Sequence, residues 1–304
     1  MDDPTLLDRY RGALLGLACG DAVGTTVEFS PRGSFALLTD MQGGGPFQLE
    51  RGKWTDDTSM ALCLAESLLE RGAFDARDQM GRYVNWWQWG YLSSTGACFD
   101  IGMTTQAALS RFASTGEPYS GSTNPRDAGN GSLMRLAPIA LFFHPNMDLV
   151  LRYAAESSRT THGAPEAMDC CRLLAFAISR ALSEAGRDHL LLGAAQHVKE
   201  PAVVAIAEGA YVTKQSEAIQ GSGYSVASLE AALWCIARTT SFEQAVLAAA
   251  NLGDDADTTG AITGQIAGAL YGCNAIPATW LSSLHMRDEI ASFAGRLYEV
   301  ASAA

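Results

Sequence analysis

Residues 55–72, TDDTSMALCLAESLLERG, join an oxygen-rich start to an apolar run with the period of a helix. Met60, Leu64 and Leu68 recur every four positions and Gly72 follows them, which is typical of an amphipathic helix that ends at a glycine. Similar spacing recurs along the chain, and no run of strict alternation is long enough for a sheet. The sequence therefore predicts an all-α protein, with further helical segments at 6–20, 76–92, 103–114, 131–142, 147–158, 164–185, 200–213, 225–238, 242–251, 257–272 and 286–302.

Composition narrows the class of protein. Of the 304 residues, 48% are hydrophobic and 18% are charged, which is enough apolar material for a large core and unlike a disordered chain. The loops at 30–54, 115–130 and 214–224 are too short and too mixed to be interdomain linkers, so we expect one compact domain over residues 1–304. The net charge of −12 argues against a basic face that binds nucleic acid. It does not exclude a phosphate ligand, because bound cations can invert the local field.

The cysteines and the N-terminal sequence bear on the compartment. The seven cysteines include no CxxC pair and mostly stand among Ala, Leu and Gly, a pattern that favours reduced, buried thiols and a cytoplasmic setting. The first residues, MDDPTLLDRYRG, lack the basic start and apolar stretch of a signal peptide. No apolar run approaches the length of a membrane span, so we expect no membrane partner.

Two oxygen-rich stretches stand at predicted helix starts, TDDTS at 55–59 and GDDADTTGA at 253–261. A helix cap is the ordinary explanation for either stretch taken singly. A cap needs only one side-chain oxygen, however, and Thr55, Asp56, Asp57 and Thr58 offer far more. An EF-hand loop does not fit the second, since Ile266 stands where the bidentate Glu belongs. If the two helix starts face each other, four carboxylates converge, and they cannot all stay charged without cations. Such oxygen ligands favour Mg²⁺ or Mn²⁺, and two metals that share carboxylates can activate water.

Other polar motifs are weaker when taken singly. DAGNGSLMR at 127–135 places glycines before a helical run, where backbone N–H groups can bind a phosphate, although an ordinary turn and cap explains it equally. The spacing of these glycines is not a dinucleotide-binding fingerprint, and the chain contains no P-loop. His162 lies in a loop, THGAP, which suits a ligand contact better than a core position does. GDAVGTTVEF at 20–29 places Asp21 and Glu28 among polar residues. FDIGMTT at 99–105 contains Asp100 as its one acidic residue.

Together these motifs resemble a known family. GLACGDAVGTTVEF, WTDDTSMAL, FDIGMTT, GNGSLMR, THGAP and LGDDADTTGAITGQIAGALYG follow one another in the order seen in the ADP-ribosylglycohydrolase family. The resemblance covers nearly the whole chain and is nearest to the bacterial branch that includes the dinitrogenase reductase-activating glycohydrolase. It implies a compact orthogonal multi-helix fold with a binuclear Mg²⁺ or Mn²⁺ centre in a cleft. It also implies cleavage of the glycosidic bond that joins ADP-ribose to a side chain or a small molecule.

The resemblance also implies roles for individual residues. The predicted catalytic set is Asp100, which matches a carboxylate near the leaving group, the cleft acid Glu28, and Asp56 and Asp257. Asp254 stands where some relatives have Gly, so its expected place is behind the ligands. The implied metal ligands are Thr55, Asp56, Asp57, Asp255, Asp257 and Thr258. The implied substrate contacts are Glu28, Asp100, Gly129, Asn130, Gly131, Ser132, His162 and Tyr224, the last by stacking on the adenine.

The functional hypothesis is a metal-dependent hydrolase that removes ADP-ribose from a modified side chain. We expect an arginine linkage, because a carboxylate such as Asp100 can accept hydrogen bonds from a guanidinium, and we expect Asp100 to be the general acid, with Glu28 as the alternate. The substrate is then an ADP-ribosylated protein or a small ADP-ribose conjugate, and the family also offers other linkages. Two rival readings are a binuclear phosphoester hydrolase and a non-enzymatic ADP-ribose binder, for which eroded metal ligands would be expected.

Overall fold

The computed structural model describes residues 4–303, so residues 1–3 and 304 at the ends of the predicted domain lie outside the described residues. Within them the chain forms thirteen α-helices and no strand, with only three isolated β-bridges between loops. The all-α prediction is confirmed. The helices are α1 Pro4–Gly24, α2 Asp56–Arg71, α3 Ala76–Trp89, α4 Met103–Thr115, α5 Ala137–Phe143, α6 Met147–Arg159, α7 Pro165–Leu182, α8 Pro201–Ala207, α9 Ser225–Arg238, α10 Phe242–Ala250, α11 Ala256–Tyr271, α12 Ala278–Ser283 and α13 Arg287–Ala303.

Helices α1 and α11 form the centre of the molecule, and they touch through their backbones. Glycines recur every four residues on both helices, so one face of each carries no side chain. A Cβ atom added to Gly20 would lie 2.1 Å from the carbonyl oxygen of Gly260, and one added to Gly264 would lie 2.0 Å from that of Gly16. No larger residue fits at these positions. We call this antiparallel contact the glycine ladder; it comprises Gly12, Gly16 and Gly20 of α1 with Gly260, Gly264 and Gly268 of α11.

The remaining helices surround this pair. Helices α7, α9 and α10 pack on α11, while α13, α2 and α5 pack on α1. Residues 256–270 of α11 are buried throughout, as expected for a helix that is apolar on nearly all sides. Because α1 and α11 run antiparallel, the end of α1 meets the start of α11. The start of α2 joins them there, and this junction holds the acids discussed below.

Two predicted helices are shorter than the sequence indicated. The segment predicted at 131–142 is helical only in α5, because residues 130–136 form tight turns and Pro138 restricts the helix to starting beside it. The segment predicted at 200–213 breaks at Gly209, whose φ of +85° is left-handed, and continues as a short 3₁₀ turn. The end of α2 at Gly72, with a φ of +62°, follows the prediction.

Two further observations concern the chain as a whole. All seven cysteines lie within the described residues and are free, five of them buried. Among helices in residues 4–303, none combines the length and apolarity needed to cross a membrane.

Candidate metal centre and ligand cavity

The two oxygen-rich stretches meet at the junction of α1, α2 and α11. The Thr55 hydroxyl lies 3.0 Å from Asp21 Oδ1, 3.1 Å from Asp57 Oδ2 and 3.4 Å from Asp257 Oδ2. A hydroxyl carries one proton and can donate to only one of these oxygens. The carboxylates of three separate helices therefore crowd one point, in a region where Asp21, Asp57 and Asp257 are at most 1% exposed.

The acids form two groups that share one member. Ligand oxygens of Asp21, Asp57 and Asp257 all lie within 4.8 Å of one another, and so do those of Glu28, Asp100 and Asp257. Such spacing is compatible with hard cations bound among these acids, and Asp257 would serve both groups. Both α2 and α11 begin here, so the positive ends of two helix dipoles add to the attraction for these anions.

Burial raises the pKa of every carboxyl group in this cluster. Burial, and then the neighbouring Asp100, raises the pKa of Glu28 to about 9. Burial also raises the pKa of Asp100 to about 7, with the charges of Asp21 and Asp255 adding to it. Asp21 reaches a pKa of only about 6, because hydrogen bonds from Thr58 and Thr55 oppose the effect of burial. The pKa of Asp56, of Asp57 and of Asp257 is raised well above its ordinary range by burial and by neighbouring acids.

The donor atoms present fit bound cations. Asp57 Oδ1 and Glu28 Oε2 are buried and accept no hydrogen bond from the described residues. Within residues 4–303, every ion pair of a lysine or arginine involves acids outside this cluster. Buried anions without counter-charge are costly, and hard cations would supply the missing positive charge through oxygen ligands alone.

A cavity of about 510 Å³ opens above the acids, within the range of about 300–1,000 Å³ that small-molecule sites occupy. Among the described residues, its wall combines acids with glycines and bears no lysine or arginine. A larger cavity of about 600 Å³ lies near Leu191 and Tyr211, but none of the predicted site residues borders it. Of those predicted residues, the smaller cavity is lined by Glu28, Asp56, Asp100, Gly129, Asn130, Gly131, His162, Asp255, Asp257 and Thr258.

The glycine loop at 129–131 forms one wall of this cavity and is tied to the acid cluster. Asn130 Nδ2 donates to Asp255 Oδ2 at 2.7 Å, and its backbone N–H donates to the Gly223 carbonyl at 3.0 Å. The His162 ring packs against the loop so closely that a Cβ on Gly131 would lie 2.8 Å from its Cε1. Within the described residues, the backbone N–H groups of Gly131 and Ser132 have no protein acceptor. They are therefore available to an anion.

Four predicted site residues lie outside the lining of the cavity. Thr55 and Asp57 sit deeper, beneath Asp56. The Ser132 hydroxyl is buried and accepts a hydrogen bond from Ser158 Oγ at 2.9 Å. Tyr224 is 41% exposed, and its hydroxyl donates to Glu166 Oε2 at 2.6 Å. Its backbone pairs with Gly129, which places it beside the loop.

Asp254 does not stand behind the ligands as expected. Its side chain is exposed, and its φ of +56° turns the chain there. Its backbone carbonyl accepts from the N–H of Phe29 and its own N–H donates to the Ser30 carbonyl, at 2.7 and 2.8 Å. Asp254 therefore fixes the loop that carries Glu28.

Comparison with known proteins agrees with this geometry. A protein-family model described as ADP-ribosylglycohydrolase matches residues 2–304. The chain belongs to the ADP-ribosylglycohydrolase family. It is 43% identical to "ADP-ribosylarginine hydrolase Tri1" of Serratia proteamaculans over 97% of this chain and 80% of that protein. It is 35% identical to the "ADP-ribosyl-[dinitrogen reductase] glycohydrolase" of Rhodospirillum rubrum, over 95% and 94% of the two chains.

A solved structure of the same family supports the fold. The structure titled "ADP-ribosylglycohydrolase-related protein complex" superposes with a TM-score of 0.87 at 45% identity, over 98% of this chain and 99% of that one. The predicted family resemblance is confirmed. Of the two named relatives, the dinitrogen reductase glycohydrolase has the lower identity to this chain.

Sequence reasoning gave no role to two residues of the site. Asp21 is one of the two acids in the stretch GDAVGTTVEF, and Leu14, Leu17 and Asp21 follow helical spacing, which places an acid on the apolar face of α1. Phe29 lines the cavity and is 65% exposed, with a φ of +61° that is rare for a bulky residue. Asp100, which also lines the cavity, has a φ of +59°. Non-glycine residues with a left-handed φ are enriched at functional sites, but no sequence pattern predicts them here.

Proposed function

We propose that the protein hydrolyses the glycosidic bond between ADP-ribose and an arginine side chain. The observation that carries this proposal is two clusters of three acids each, with Asp257 in both, at the floor of a cavity. The loop at 129–131 forms one wall of this cavity. The name of the Serratia proteamaculans relative supports the arginine linkage. An ADP-ribosylated protein is accordingly the proposed partner, and the free cysteines support the proposed cytoplasmic setting.

Two Mg²⁺ or Mn²⁺ ions are the proposed cofactors. Asp57 and Asp257 are the best placed to hold them, because both are buried and Asp57 Oδ1 lacks any donor among the described residues. When bound, such ions lower the pKa of water and polarise substrate oxygens. The remaining proposed ligands are Thr55, Asp56, Asp255 and Thr258.

The glycine loop is the proposed binding site for the diphosphate. The free N–H groups of Gly131 and Ser132 suit an anion. The side-chain nitrogen of Asn130 is held by its hydrogen bond to Asp255. Its side-chain oxygen Oδ1 is then left to accept from a ribose hydroxyl. This arrangement would place the distal ribose over the acids and its glycosidic bond near Asp100 and Glu28, both of which line the cavity. Tyr224 lies beside the loop, at the proposed adenine end.

Asp100 and Glu28 are the proposed proton donors. In the metal-free protein each has a raised pKa, about 7 for Asp100 and about 9 for Glu28, and a raised pKa is what a carboxyl group needs to act as a general acid. Asp100 is the less buried of the two. It is therefore better placed to contact the modified arginine side chain, which reaches the cavity from the solvent side. As a carboxylate it would accept hydrogen bonds from the guanidinium, and as an acid it would donate to the departing nitrogen.

The test is product analysis by mass spectrometry. A peptide with ADP-ribosyl-arginine should yield free ADP-ribose and the unmodified peptide in the presence of Mg²⁺ or Mn²⁺. Release of AMP would instead indicate a phosphoester hydrolase, and binding without turnover would indicate a non-enzymatic family member. Asp254→Asn is a suitable control, because Asp254 is exposed and tolerates its left-handed φ as Asn.

A further inference from the structure

Arg135 is a buried cation without a carboxylate partner. It is 0% exposed, and within residues 4–303 it forms no ion pair. Its guanidinium donates to the Gly131 carbonyl at 3.1 Å and to Thr161 Oγ1 at 2.7 Å, and it stacks 4.6 Å from the centre of the Tyr83 ring. Arginines are almost never fully buried unless they are paired. The two hydrogen bonds connect it to the glycine loop and to Thr161, the residue before His162.

Thr161 connects Arg135 to His162 through its hydroxyl group. Thr161 Oγ1 lies 2.8 Å from His162 Nδ1. Arginine is only a donor, so the Thr161 oxygen accepts from Arg135 and its own proton remains to be placed. Thr161 is fully buried, and Nδ1 is the acceptor within reach among the described residues. With Nδ1 accepting, the neutral imidazole carries its proton on Nε2.

The other edge of His162 faces the ligand. His162 lines the cavity although the residue is only 2% exposed. Its Nε2 lies beside the 129–131 loop, 3.2 Å from where a Cβ on Gly131 would stand, and it has no hydrogen-bond partner among the described residues. Burial and the charge of Arg135 lower the pKa of His162 to about 3, so the ring is neutral at ordinary pH.

We propose that Arg135, acting through Thr161, is a positioning residue that fixes the Nε2–H form of His162. His162 then presents an N–H donor to an oxygen of the ADP-ribose group, beside the glycine loop. Arg135 also orients the Gly131 carbonyl away from the ligand, which leaves the neighbouring N–H groups free for the diphosphate. This donor role rests on the proposed function, whereas the proton position does not.

The proton position is testable by NMR on the ligand-free, Mg²⁺-loaded protein. Long-range ¹H–¹⁵N correlation distinguishes protonated from unprotonated imidazole nitrogens. The chain has five histidines, so a His162→Gln spectrum assigns the signals. In the wild type we expect a protonated Nε2 and an unprotonated Nδ1. Thr161→Val should give a mixture of the two forms, whereas Thr161→Ser, which keeps the hydroxyl, should retain the wild-type form.

A calorimetric titration with ADP-ribose tests the donor role. Thr161→Val should weaken binding about tenfold, which is the effect of one lost hydrogen bond of about 1.4 kcal/mol. Thr161→Ser should stay within about twofold of the wild type. Circular dichroism of both variants checks that the fold is kept, and Arg135→Lys, which keeps the charge but not the forked geometry, should resemble Thr161→Val.

Failure of this inference and failure of the proposed function are separable. A protonated Nδ1 in the wild type, or an unchanged tautomer in folded Thr161→Val, would overturn the relay from Arg135. An unchanged ADP-ribose affinity in folded Thr161→Val would overturn the donor role. A wild type that holds the proton on Nε2 but does not bind ADP-ribose would overturn the proposed function and leave the relay standing.

Discussion

Asp21 of α1 accepts hydrogen bonds from both the hydroxyl and the backbone N–H of Thr58 in α2, at 2.6 and 3.1 Å. Thr55 adds its N–H at 2.9 Å and its hydroxyl at 3.0 Å. Both oxygens of Asp21 are therefore occupied, whereas Asp57 Oδ1 next to it has no donor among the described residues. The two buried acids have different surroundings, so they should respond differently to the same substitution.

Asp57→Asn should remove one bound ion, and Asp21→Asn should keep both ions but bind them more weakly. The Asp57→Asn substitution replaces a free ligand oxygen with an amide. The Asp21→Asn substitution only disturbs hydrogen bonds behind the ligands, and such a change lowers metal affinity about 10- to 100-fold. Calorimetric titration with Mn²⁺ measures both quantities. Equal loss of stoichiometry in the two variants would show that Asp21 is itself a ligand.

Removal of metal should abolish hydrolysis and lower the melting temperature. Ions that bind only the folded state stabilise it by about 2.7 kcal/mol when their concentration is 100 times the dissociation constant. Treatment with a chelator, followed by addition of Mg²⁺, Mn²⁺ or Ca²⁺, tests this prediction through turnover and thermal unfolding. Full activity in protein shown by elemental analysis to be metal-free would contradict the proposed cofactors.

The metal-free protein should become less stable as the pH rises from about 5 to about 8.5. The folded-state pKa is raised to about 6 for Asp21, about 7 for Asp100 and about 9 for Glu28. The folded state therefore binds more protons than the unfolded state in this range, and its stability falls as these protons leave.

Saturating Mg²⁺ should reverse this trend on the acid side, because protonation displaces metal from its carboxylates. Thermal unfolding at several pH values, with chelator and with Mg²⁺, measures both effects. Glu28→Gln is the matched variant, since it should flatten the decline in the metal-free protein. A metal-free melting temperature that climbs over this range would contradict the prediction.

Asp100→Asn should lose arginine-directed hydrolysis. The substitution removes the carboxylate that would orient the guanidinium and protonate the leaving nitrogen, and general acids contribute about 10²- to 10⁴-fold. Matched peptides with arginine-linked or serine-linked ADP-ribose give kcat/KM for the wild type and the variant, with Asp254→Asn as control. A serine preference in the wild type, or an unchanged arginine preference in Asp100→Asn, would refute this role.

Gly264→Ala should destabilise the fold, whereas Gly295→Ala should stabilise it. A Cβ on Gly264 would stand 2.0 Å from the Gly16 carbonyl oxygen, so α1 and α11 would have to separate, at a cost of about 3 kcal/mol or more. A Cβ on Gly295 in α13 meets nothing within 4 Å, and alanine there gains about 0.5–1 kcal/mol. Urea unfolding measures both, and equal effects would count against the glycine ladder.

The helical fold was predictable because its periodicity is local. The spacing of Met60, Leu64 and Leu68 suffices to predict α2, and the oxygen-rich starts of α2 and α11 predicted acids that lie together. The family resemblance then attached roles to individual residues, and those roles stay predictions.

Other features depend on tertiary contacts, which no local pattern contains. Asp21 acquires its place only when the end of α1 meets the start of α2, and Arg135 only when the loop at 129–131 approaches Thr161. The first residues of the helix predicted at 131–142 are not helical for the same reason, since Gly131 and Met134 line the cavity instead. The four-residue spacing of glycines in α1 and α11 was visible in the sequence, but its meaning required the second helix.

The glycine ladder fixes the spacing of the acid cluster, whereas the residues at the mouth of the cavity are free to vary. The spacing between Asp21 and Asp257 is set by two main chains in direct contact, with no side chain between them whose replacement could change it. The mouth of the cavity is built differently, from loop residues such as Phe29 and from Met103, which is 88% exposed. New specificity for the modified protein can therefore arise at the mouth by substitution, while the acid cluster keeps its dimensions. A directed-evolution library confined to the mouth would draw on this division.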